Sequence, residues 1–223
     1  MHLIISVAKG LALAISWFDE LPSTHQYLID GLKLGTFEAP LGIGVDRQTN
    51  GIGSRGNSWI GGKGNLFFSF CVEEKHLPKD LPLASISIYF SSLVKEILAN
   101  QGSMIWLKWP NDFYLGDKKV GGMITTKIGT NIIGSIGLNL CSSPEEFSVL
   151  DIQIEPREIA SSLMLILEKK ISWKKVFSKY KIEFCNNEKF SFHLDGKLVS
   201  LADAILCDDG SLELENKKVY SLR

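Results

Sequence analysis

Residues 108–140 read KWPNDFYLGDKKVGGMITTKIGTNIIGSIGLNL, and they carry the clearest folding signal in the chain. The dipeptide Gly116-Asp117 is typical of a tight hairpin turn, so the strands on either side of it are predicted to be neighbours. β-branched residues dominate the second half of the stretch and glycines interrupt it, which predicts two further strands joined near Gly129. Strands joined by hairpin turns, next to helices, indicate an α+β fold.

Helical segments are predicted on both sides of these strands. Residues 82–102 carry apolar side chains at helical spacing and finish with Gly102, a residue suited to a helix C-terminus. Residues 155–170 form a second candidate, with Pro156 at a position suited to the first helical turn. A third helix is predicted over residues 173–182.

The pattern changes after about residue 184, where short strands alternate with Asp-Gly turns in HLDGKLVS and CDDGSLELENKKVYS. The sequence therefore predicts two domains, residues 1–183 and residues 184–223. The second is too small to bury much apolar surface by itself, so we expect it to pack against the first.

The composition argues against several classes of protein. With 24 basic and 25 acidic side chains among 223 residues, the net charge is -1, and no overall positive field attracts a nucleic-acid backbone. The four cysteines form no CxxC pair and the four histidines show no metal-ligand spacing. We therefore expect reduced thiols and a cytoplasmic protein.

The N-terminal stretch MHLIISVAKGLALAISWF resembles a signal peptide in its hydrophobicity. Lys9 and Gly10 interrupt the apolar run, however, and no stretch reaches the roughly 20 apolar residues that span a bilayer. The segment is therefore predicted to form a pair of buried strands, with no membrane association.

A glycine-rich segment at residues 51–64, GIGSRGNSWIGGKG, contains the pattern G-x-G-x-x-G. A dinucleotide-binding fingerprint must open a helix, whereas this segment leads into the apolar strand NLFFSF. Two interpretations stay open. The segment is either a plain flexible loop, or a loop that closes over an anion, with Arg55 supplying charge and Trp59 a flat face.

The hairpin at residues 108–122 concentrates chemically useful side chains. Asn111 offers both a donor and an acceptor, as a purine edge or a ribose requires. Asp112 can hold Mg²⁺ through a carboxylate oxygen, and the hairpin brings it close to Lys119, which can neutralise a phosphate or a developing oxyanion. The alternative is a surface hairpin with solvated charges.

Together these segments resemble the biotin protein ligases. The similarity covers roughly residues 15–140 and rests on five stretches in family order: PSTHQYL, RQTNGIGSRGNSW, GNLFFSF, KWPNDFYLGDKKVGGMI and GLNL. It implies a mixed-sheet catalytic domain of the biotin/lipoate ligase type, similar to class II synthetases, with a small C-terminal SH3-like β domain. It also implies an enzyme that activates biotin with ATP and Mg²⁺ as biotinyl-5'-AMP, then transfers it to a lysine of a biotin carboxyl carrier domain.

The resemblance assigns roles to individual residues. Lys119 and Arg55 are the implied catalytic cations, and Asp112 is the implied Mg²⁺ ligand. The implied biotin-binding residues are Ser23, Thr24, Gln48, Gly51, Gly53, Arg55, Lys119 and Gly122. The implied nucleotide-binding residues are Trp59, Asn111, Ile136 and Asn139.

Four positions depart from the usual family pattern. Ile52 and Ser54 stand where the glycine loop usually has further arginines, and Arg47 and Lys63 are nearby candidates to replace those charges. His25 stands in place of an asparagine after the Ser-Thr pair, and Ser135 replaces the first glycine of a G-x-G-x-N element.

Only 22 residues precede Ser23, too few for a helix-turn-helix unit, so the sequence predicts an enzyme that does not bind DNA. The expected oligomeric state is a monomer or a weak homodimer. Two alternatives stay open: a lipoate or octanoate ligase or transferase on the same fold, and a non-catalytic biotin-binding regulator.

Overall fold

A computed structural model describes residues 2–7, 12–54, 57–59, 61–194, 196–215 and 217–221. Its centre is an eight-stranded sheet in the order β1-β2-β3-β6-β10-β9-β8-β7. The strands of this sheet are β1 (His2–Val7), β2 (Ala12–Leu21), β3 (Leu41–Gln48), β6 (Leu66–Glu73), β7 (Trp106–Lys108), β8 (Asp112–Leu115), β9 (Lys118–Ile128) and β10 (Asn131–Leu138). A separate short hairpin pairs β4 (Gly51–Ile52) with β5 (Ser58–Trp59).

The pairing of these strands makes the sheet mixed. β2 and β3 run parallel, and every other pair of neighbours in the sheet is antiparallel. The predicted hairpin turn at residues 116–117 and the turn near Gly129 are both present, and Gly116 and Gly129 each adopt a positive φ. The N-terminal segment also forms a pair of strands, as predicted. The α+β prediction is confirmed.

In the described part of the chain, four α-helices accompany the sheet: α1 (Thr24–Lys33), α2 (Ile86–Asn100), α3 (Pro156–Glu168) and α4 (Trp173–Glu183). The last three confirm the helices predicted from sequence. Pro156 occupies the first turn of α3, where its missing N–H costs nothing, and the Ser172 hydroxyl caps α4 by accepting from the Lys175 N–H. Among the described residues, no helix has the length and hydrophobicity needed to cross a membrane.

The helices cover the two faces of the sheet unequally. The larger core lies on the face packed against α2 and α3, and it contains Phe68, Phe70 and Phe90. On the opposite face, Leu28 and Ile29 of α1 pack in a smaller cluster against β3, β6 and β10. α1 covers only part of its face, and the remainder of that face is free to form a cavity.

The described residues of the C-terminal segment form five short strands in two small sheets: β11 (Ser191–Leu194), β12 (Lys197–Ser200), β13 (Ile205–Leu206), β14 (Leu212–Leu214) and β15 (Lys217–Val219). It packs around Trp109, whose ring lies 5.1 Å from the Phe192 ring. The Trp109 indole N–H donates to the Gly210 carbonyl at 3.0 Å, and its backbone N–H donates to Asn187 Oδ1 at 2.7 Å. The boundary at residue 184 stays a prediction.

Gly134 tests how tightly the large core is packed against β10. A Cβ atom at this position would lie 2.4 Å from Cζ of the buried Phe70 ring, so Gly134→Ala forces the core to rearrange. We expect a loss of about 1–3 kcal/mol in the free energy of unfolding, measured by urea titration.

The control is Gly129→Asn, at a positive-φ turn with nothing within 4 Å of the new Cβ, a conformation that asparagine tolerates. This variant should stay within about 0.5 kcal/mol of the parent chain. Equal stability of the Gly134→Ala variant and the parent would contradict the packing described here.

Candidate active site

A cavity of about 340 Å³ opens on the sheet face that α1 covers only in part. Its walls are the first turn of α1, the β4–β5 hairpin, the β8–β9 hairpin and the middle of β10. It continues into a groove of about 560 Å³ that reaches β11 and β12. Residues far apart in sequence therefore meet in one concave surface.

A salt bridge between Lys119 and Asp112 lies on the wall formed by the β8–β9 hairpin. Lys119 Nζ is 2.7 Å from Asp112 Oδ1, and both side chains are about one quarter exposed, at 25% and 27%. This confirms the proximity predicted from the hairpin turn. Gly122 makes room for the pair, because a Cβ there would lie 3.0 Å from Asp112 Oδ1 and 3.5 Å from Lys119 Nζ.

A β-bulge brings Gly122 to this position. Phe113 pairs with Gly121, whereas Tyr114 pairs with Lys119, so Val120 is an extra residue in β9. Past an extra residue of this kind, the side chains of the strand point to the opposite faces of the sheet from those they would otherwise occupy. Gly122 therefore faces the cavity together with Asp112, its partner in the ladder.

The start of α1 forms a polar corner of the cavity. The Ser23 hydroxyl caps the helix by accepting from the Gln26 N–H at 3.3 Å. The backbone N–H and the hydroxyl of Thr24 both donate to Gln48 Oε1, at 2.8 and 3.1 Å. This corner carries no formal charge, so it suits a neutral polar ligand group.

A row of hydroxyls extends from this corner beneath α1. Ser69 Oγ lies 2.8 Å from Thr24 Oγ1 and 2.7 Å from Ser135 Oγ, and Ser135 Oγ lies 2.7 Å from His25 Nδ1. The other ring nitrogen of His25 lies 3.3 Å from Thr126 Oγ1. Burial lowers the pKa of His25, which favours its neutral form.

The opposite end of the cavity contains aromatic and amide groups. Trp59 lies against the backbone of Gly137, where a Cβ would come within 2.3 Å of Trp59 Nε1, and its ring meets Phe147 edge-on at 6.3 Å. The Asn111 amide donates to the Met123 carbonyl, which fixes the Asn111 side chain at the cavity wall.

Asn139 lies behind this end of the cavity, just after β10. Its backbone N–H donates to the Val120 carbonyl at 2.9 Å, and its carbonyl accepts from the Leu150 N–H at 2.8 Å. Within the described part of the chain, the buried atoms Asn139 Oδ1 and Trp59 Nε1 have no hydrogen-bond partner. A buried polar atom left unpaired costs about 1–3 kcal/mol, so both atoms favour a ligand or water as partner.

The glycine-rich segment is only partly described, and Arg55 lies outside the described residues. The Gly53 N–H donates to the Asn57 carbonyl at 2.7 Å, so it is committed within the loop. Arg47 pairs with Glu20 at 2.9 Å on an exposed part of the sheet, and the exposed Lys63 does not line the cavity either. Neither side chain therefore replaces, at the cavity, the arginines that are missing from the glycine-rich segment.

Most of the predicted site residues meet in the cavity wall. Those lining it are Ser23, Thr24, Gln48, Gly53, Trp59, Asn111, Asp112, Lys119, Gly122 and Ile136. Gly51 lies beside it, paired with Trp59 in the β4–β5 hairpin, and Asn139 lies behind it. Sequence reasoning missed Ser69 and Thr126, although a single serine within the apolar run LFFSFCV was a usable signal for Ser69.

Asp112, the partner of Lys119, is the carboxylate that the described residues place at the cavity. Among the described residues, no group of three or more His, Cys, Asp or Glu side chains is arranged to hold a metal. Mg²⁺ usually takes one or two carboxylates and completes its shell with phosphates and water. Asp112 therefore fits as the protein ligand of an ion held mainly by a nucleotide.

Comparison with known proteins identifies the family. Residues 17–140, more than half of the chain, match the model of the biotin/lipoate A/B protein ligase family. The chain belongs to this family. Its resemblance to biotin protein ligases is confirmed by the relatives that it matches within the family.

Two curated relatives show how far the sequence similarity extends. The bifunctional ligase/repressor BirA of Escherichia coli is 30% identical over 138 residues, 59% of this chain and 42% of that protein. Biotin–protein ligase 1 of Arabidopsis thaliana, chloroplastic, is 30% identical over 135 residues, 56% of this chain and 35% of that protein. The matched region thus spans less than half the length of these curated relatives.

The structural match is more extensive. The biotin acetyl coenzyme A carboxylase synthetase of Helicobacter pylori, with bound biotinylated ATP, superimposes with a TM-score of 0.88 and 41% identity over 92% of this chain and 98% of that one. The Aquifex aeolicus biotin protein ligase with biotin and ATP gives a TM-score of 0.71 at 20% identity over 94% and 95%, which supports the fold alone. The predicted fold, a mixed-sheet catalytic domain with a small C-terminal β region, is confirmed.

The buried His25 makes stability depend on pH in a predictable direction. Burial holds its pKa below the ordinary value of about 6.5, so the unfolded chain binds more protons than the folded chain as the pH falls past that value. The contribution of neutral His25 is complete above about pH 6.5 and decreases as the pH falls towards its folded pKa.

We therefore expect the stability of the parent chain relative to His25→Asn to decrease between about pH 7.5 and pH 5.5, measured by urea titration. The other histidines are common to both chains, so their contributions cancel in this difference. A difference that does not change with pH would show that His25 titrates normally in the folded chain.

Proposed function

We propose that this chain is a biotin protein ligase, which activates biotin with ATP as biotinyl-5'-AMP and transfers the biotinyl group to a lysine of a biotin carboxyl carrier domain. The observation that carries the proposal is a single cavity joining a neutral polar corner, at Thr24 and Gln48, to the Lys119–Asp112 pair. The 41% identity to the H. pylori synthetase supports it.

In this proposal, biotin occupies the inner part of the cavity. Its neutral ureido ring faces Ser23, Thr24 and Gln48, whose hydrogen-bonding groups carry no charge. Its carboxylate points toward Lys119, near Gly122 and Gly53. The cavity volume of about 340 Å³ lies within the range typical of small-molecule sites.

The nucleotide is proposed to occupy the outer part. Trp59 supplies an aromatic face for the base, and Asn111 with the nearby Asn139 supplies amide groups for the adenosine. Trp59 lines the cavity, and its buried Nε1 has no partner among the described residues, so a ligand or an ordered water can satisfy it. Ile136 contributes an apolar part of the wall.

The proposed first step joins two anions. An oxygen of the biotin carboxylate attacks the α-phosphorus of ATP, and the bond from that phosphorus to the pyrophosphate oxygen breaks. The Lys119 ammonium lowers the repulsion between the reactants and stabilises charge on the phosphoryl oxygens. When bound at Asp112, Mg²⁺ supplies further positive charge at the phosphates. Arg55 is proposed as a second cation on sequence grounds.

In the proposed second step, the amine of a carrier lysine attacks the carbonyl carbon of the mixed anhydride. The bond from that carbon to the bridging oxygen breaks, AMP leaves with this oxygen, and the amine loses a proton to solvent. The groove that continues toward β11 and β12 provides a route for the lysine side chain. Closed walls around the anhydride would protect it from water.

The main alternative is a ligase or transferase for lipoate or octanoate. The polar corner argues against it, because an apolar ring or chain would gain no hydrogen bond from the Thr24 and Ser135 oxygens that line the cavity, whereas a ligand with N–H groups would. A non-catalytic biotin-binding regulator is disfavoured by Asp112, since a biotin carboxylate can use Lys119 but gains nothing from a second carboxylate beside it.

The decisive assay follows label from the α-phosphate of ATP into an adenylate, with Mg²⁺ and either biotin or lipoate, and then adds an apo carrier domain. We expect a biotin-dependent adenylate that discharges onto the carrier. Activity with lipoate alone would favour the first alternative. Biotin binding without any adenylate would favour the regulator.

Lys119→Ala should lower the rate of adenylate formation by about 10²–10³-fold, because the variant loses the cation facing the reacting anions. The fold should stay intact, since the Lys119 side chain is partly exposed. The measurement is biotin-dependent exchange of pyrophosphate into ATP.

Lys118→Ala is the matched control, because Lys118 is the exposed neighbour whose ammonium contacts the Glu145 carbonyl. It removes the same charge from the adjacent position and should retain nearly the parent rate. An equal loss in both variants, or none in Lys119→Ala, would remove Lys119 from the mechanism.

A further inference from the structure

Two departures from the family pattern, His25 on α1 and Ser135 on β10, are in direct contact across 110 residues of sequence, with His25 Nδ1 2.7 Å from Ser135 Oγ. Both side chains are buried and both line the cavity. They stand at one end of a continuous row of hydrogen bonds that runs through Ser69 and Thr24 to Gln48.

The contacts with Gln48, at the far end of this row, determine which group donates in each hydrogen bond. The backbone N–H of Thr24 can only donate, so the Gln48 atom 2.8 Å from it must be the amide oxygen. That oxygen also lies 3.1 Å from Thr24 Oγ1, so the Thr24 hydroxyl must donate to it. Because a hydroxyl has a single hydrogen, Thr24 can then only accept from Ser69.

The remaining hydroxyl hydrogens of the row are fixed in turn. Ser69 uses its hydrogen on Thr24 and accepts from Ser135, and Ser135 uses its hydrogen on Ser69 and accepts from His25 Nδ1. His25 therefore carries its proton on Nδ1. Its Nε2 is left with a lone pair that accepts from the Thr126 hydroxyl at 3.3 Å.

The reverse direction is unfavourable. If His25 Nδ1 accepted from Ser135, each hydroxyl would point the other way, and Thr24 Oγ1 would face Gln48 Oε1 with two lone pairs 3.1 Å apart. The row also has no formal charge to compensate for such a contact. The lowered pKa of His25 agrees with a neutral ring.

We infer that His25 is a positioning residue for ligand recognition: together with Ser135 it fixes the direction of the hydrogen-bond row, so that the cavity floor presents lone pairs. The hydrogens of Thr24 and Ser135 are used inside the row, so their oxygens are available to accept from a ligand. The floor then recognises N–H groups, such as those of a cyclic urea, and disfavours ligands without them. This inference rests on the proposed function.

The first test is independent of activity. The full-length chain, labelled with ¹⁵N, is examined by NMR at neutral pH for the tautomer of each histidine ring, and the His25→Asn variant identifies the His25 signals. The inference expects His25 to be neutral with its proton on Nδ1. A proton on Nε2, or on both nitrogens, would overturn it, whatever reaction the chain catalyses.

The second test measures biotin affinity by calorimetry. His25→Phe keeps an aromatic ring but removes the donor to Ser135, so the Kd for biotin should rise about 10-fold. The kcat for adenylation at saturating biotin should fall by a smaller factor than the Kd rises. His25→Asn restores an amide donor and should recover most of the affinity, whereas His76→Phe, outside both cavity walls, should change nothing.

Ser135→Ala removes the hydroxyl that connects His25 to Ser69. It tests the same effect on biotin affinity if His25→Phe does not fold. It should also raise the Kd for biotin by a larger factor than it lowers kcat. Parent-like affinity in the folded variants would overturn the inference. If the parent chain itself fails to bind biotin, the proposed function fails, and the tautomer of His25 still decides the direction of the row.

Discussion

The register of β10 between its two neighbours is the constraint on which the rest of the site depends. Ser135 stands opposite Ser69 on one side, and Gly137 stands opposite Gly122 on the other. Side chains alternate between the faces of a strand, so a slip of one residue would turn these groups into the core and expose apolar ones. The fit of Phe70 against Gly134 on the opposite face opposes such a slip.

The Lys119–Asp112 pair prepares the cavity for anions without giving it a large net charge. Because the two side chains neutralise each other, an entering carboxylate or phosphate competes with Asp112 for the ammonium. Such a site binds an anion less strongly than an isolated lysine would, but it holds the lysine in one place beforehand. Lys119 therefore loses part of its conformational entropy when the chain folds, so this part is not lost again when the anion binds.

The sequence predicted what depends on local pattern. The turn at residues 116–117 placed Asp112 near Lys119, and the helices beginning at Pro156 and Trp173 followed from periodicity and capping. It did not predict contacts that depend on register across the sheet. His25 and Ser135 were each recognised as unusual, but nothing in a linear pattern shows that residues on α1 and β10 touch.

The inability to predict contacts across the sheet also explains why Arg47 does not take the place of a missing loop arginine. Arg47 is close to the glycine-rich segment in sequence, yet the parallel pairing of β2 with β3 places it beside Glu20, where an exposed ion pair forms. Proximity along the chain was therefore a poor guide there. The bulge at Val120 is a further case, because one unpaired residue determines which of two adjacent glycines faces the cavity.

Trp109 joins the two parts of the chain, because it belongs to the turn that carries Asn111 while its indole N–H and ring are held by the C-terminal strands. Separating the C-terminal segment would expose this large apolar ring to water and exchange both hydrogen bonds of Trp109 for bonds to water. Neither part can lose its structure without removing support from the other. The molecule is therefore built to unfold as one cooperative unit, despite the small size of its C-terminal segment.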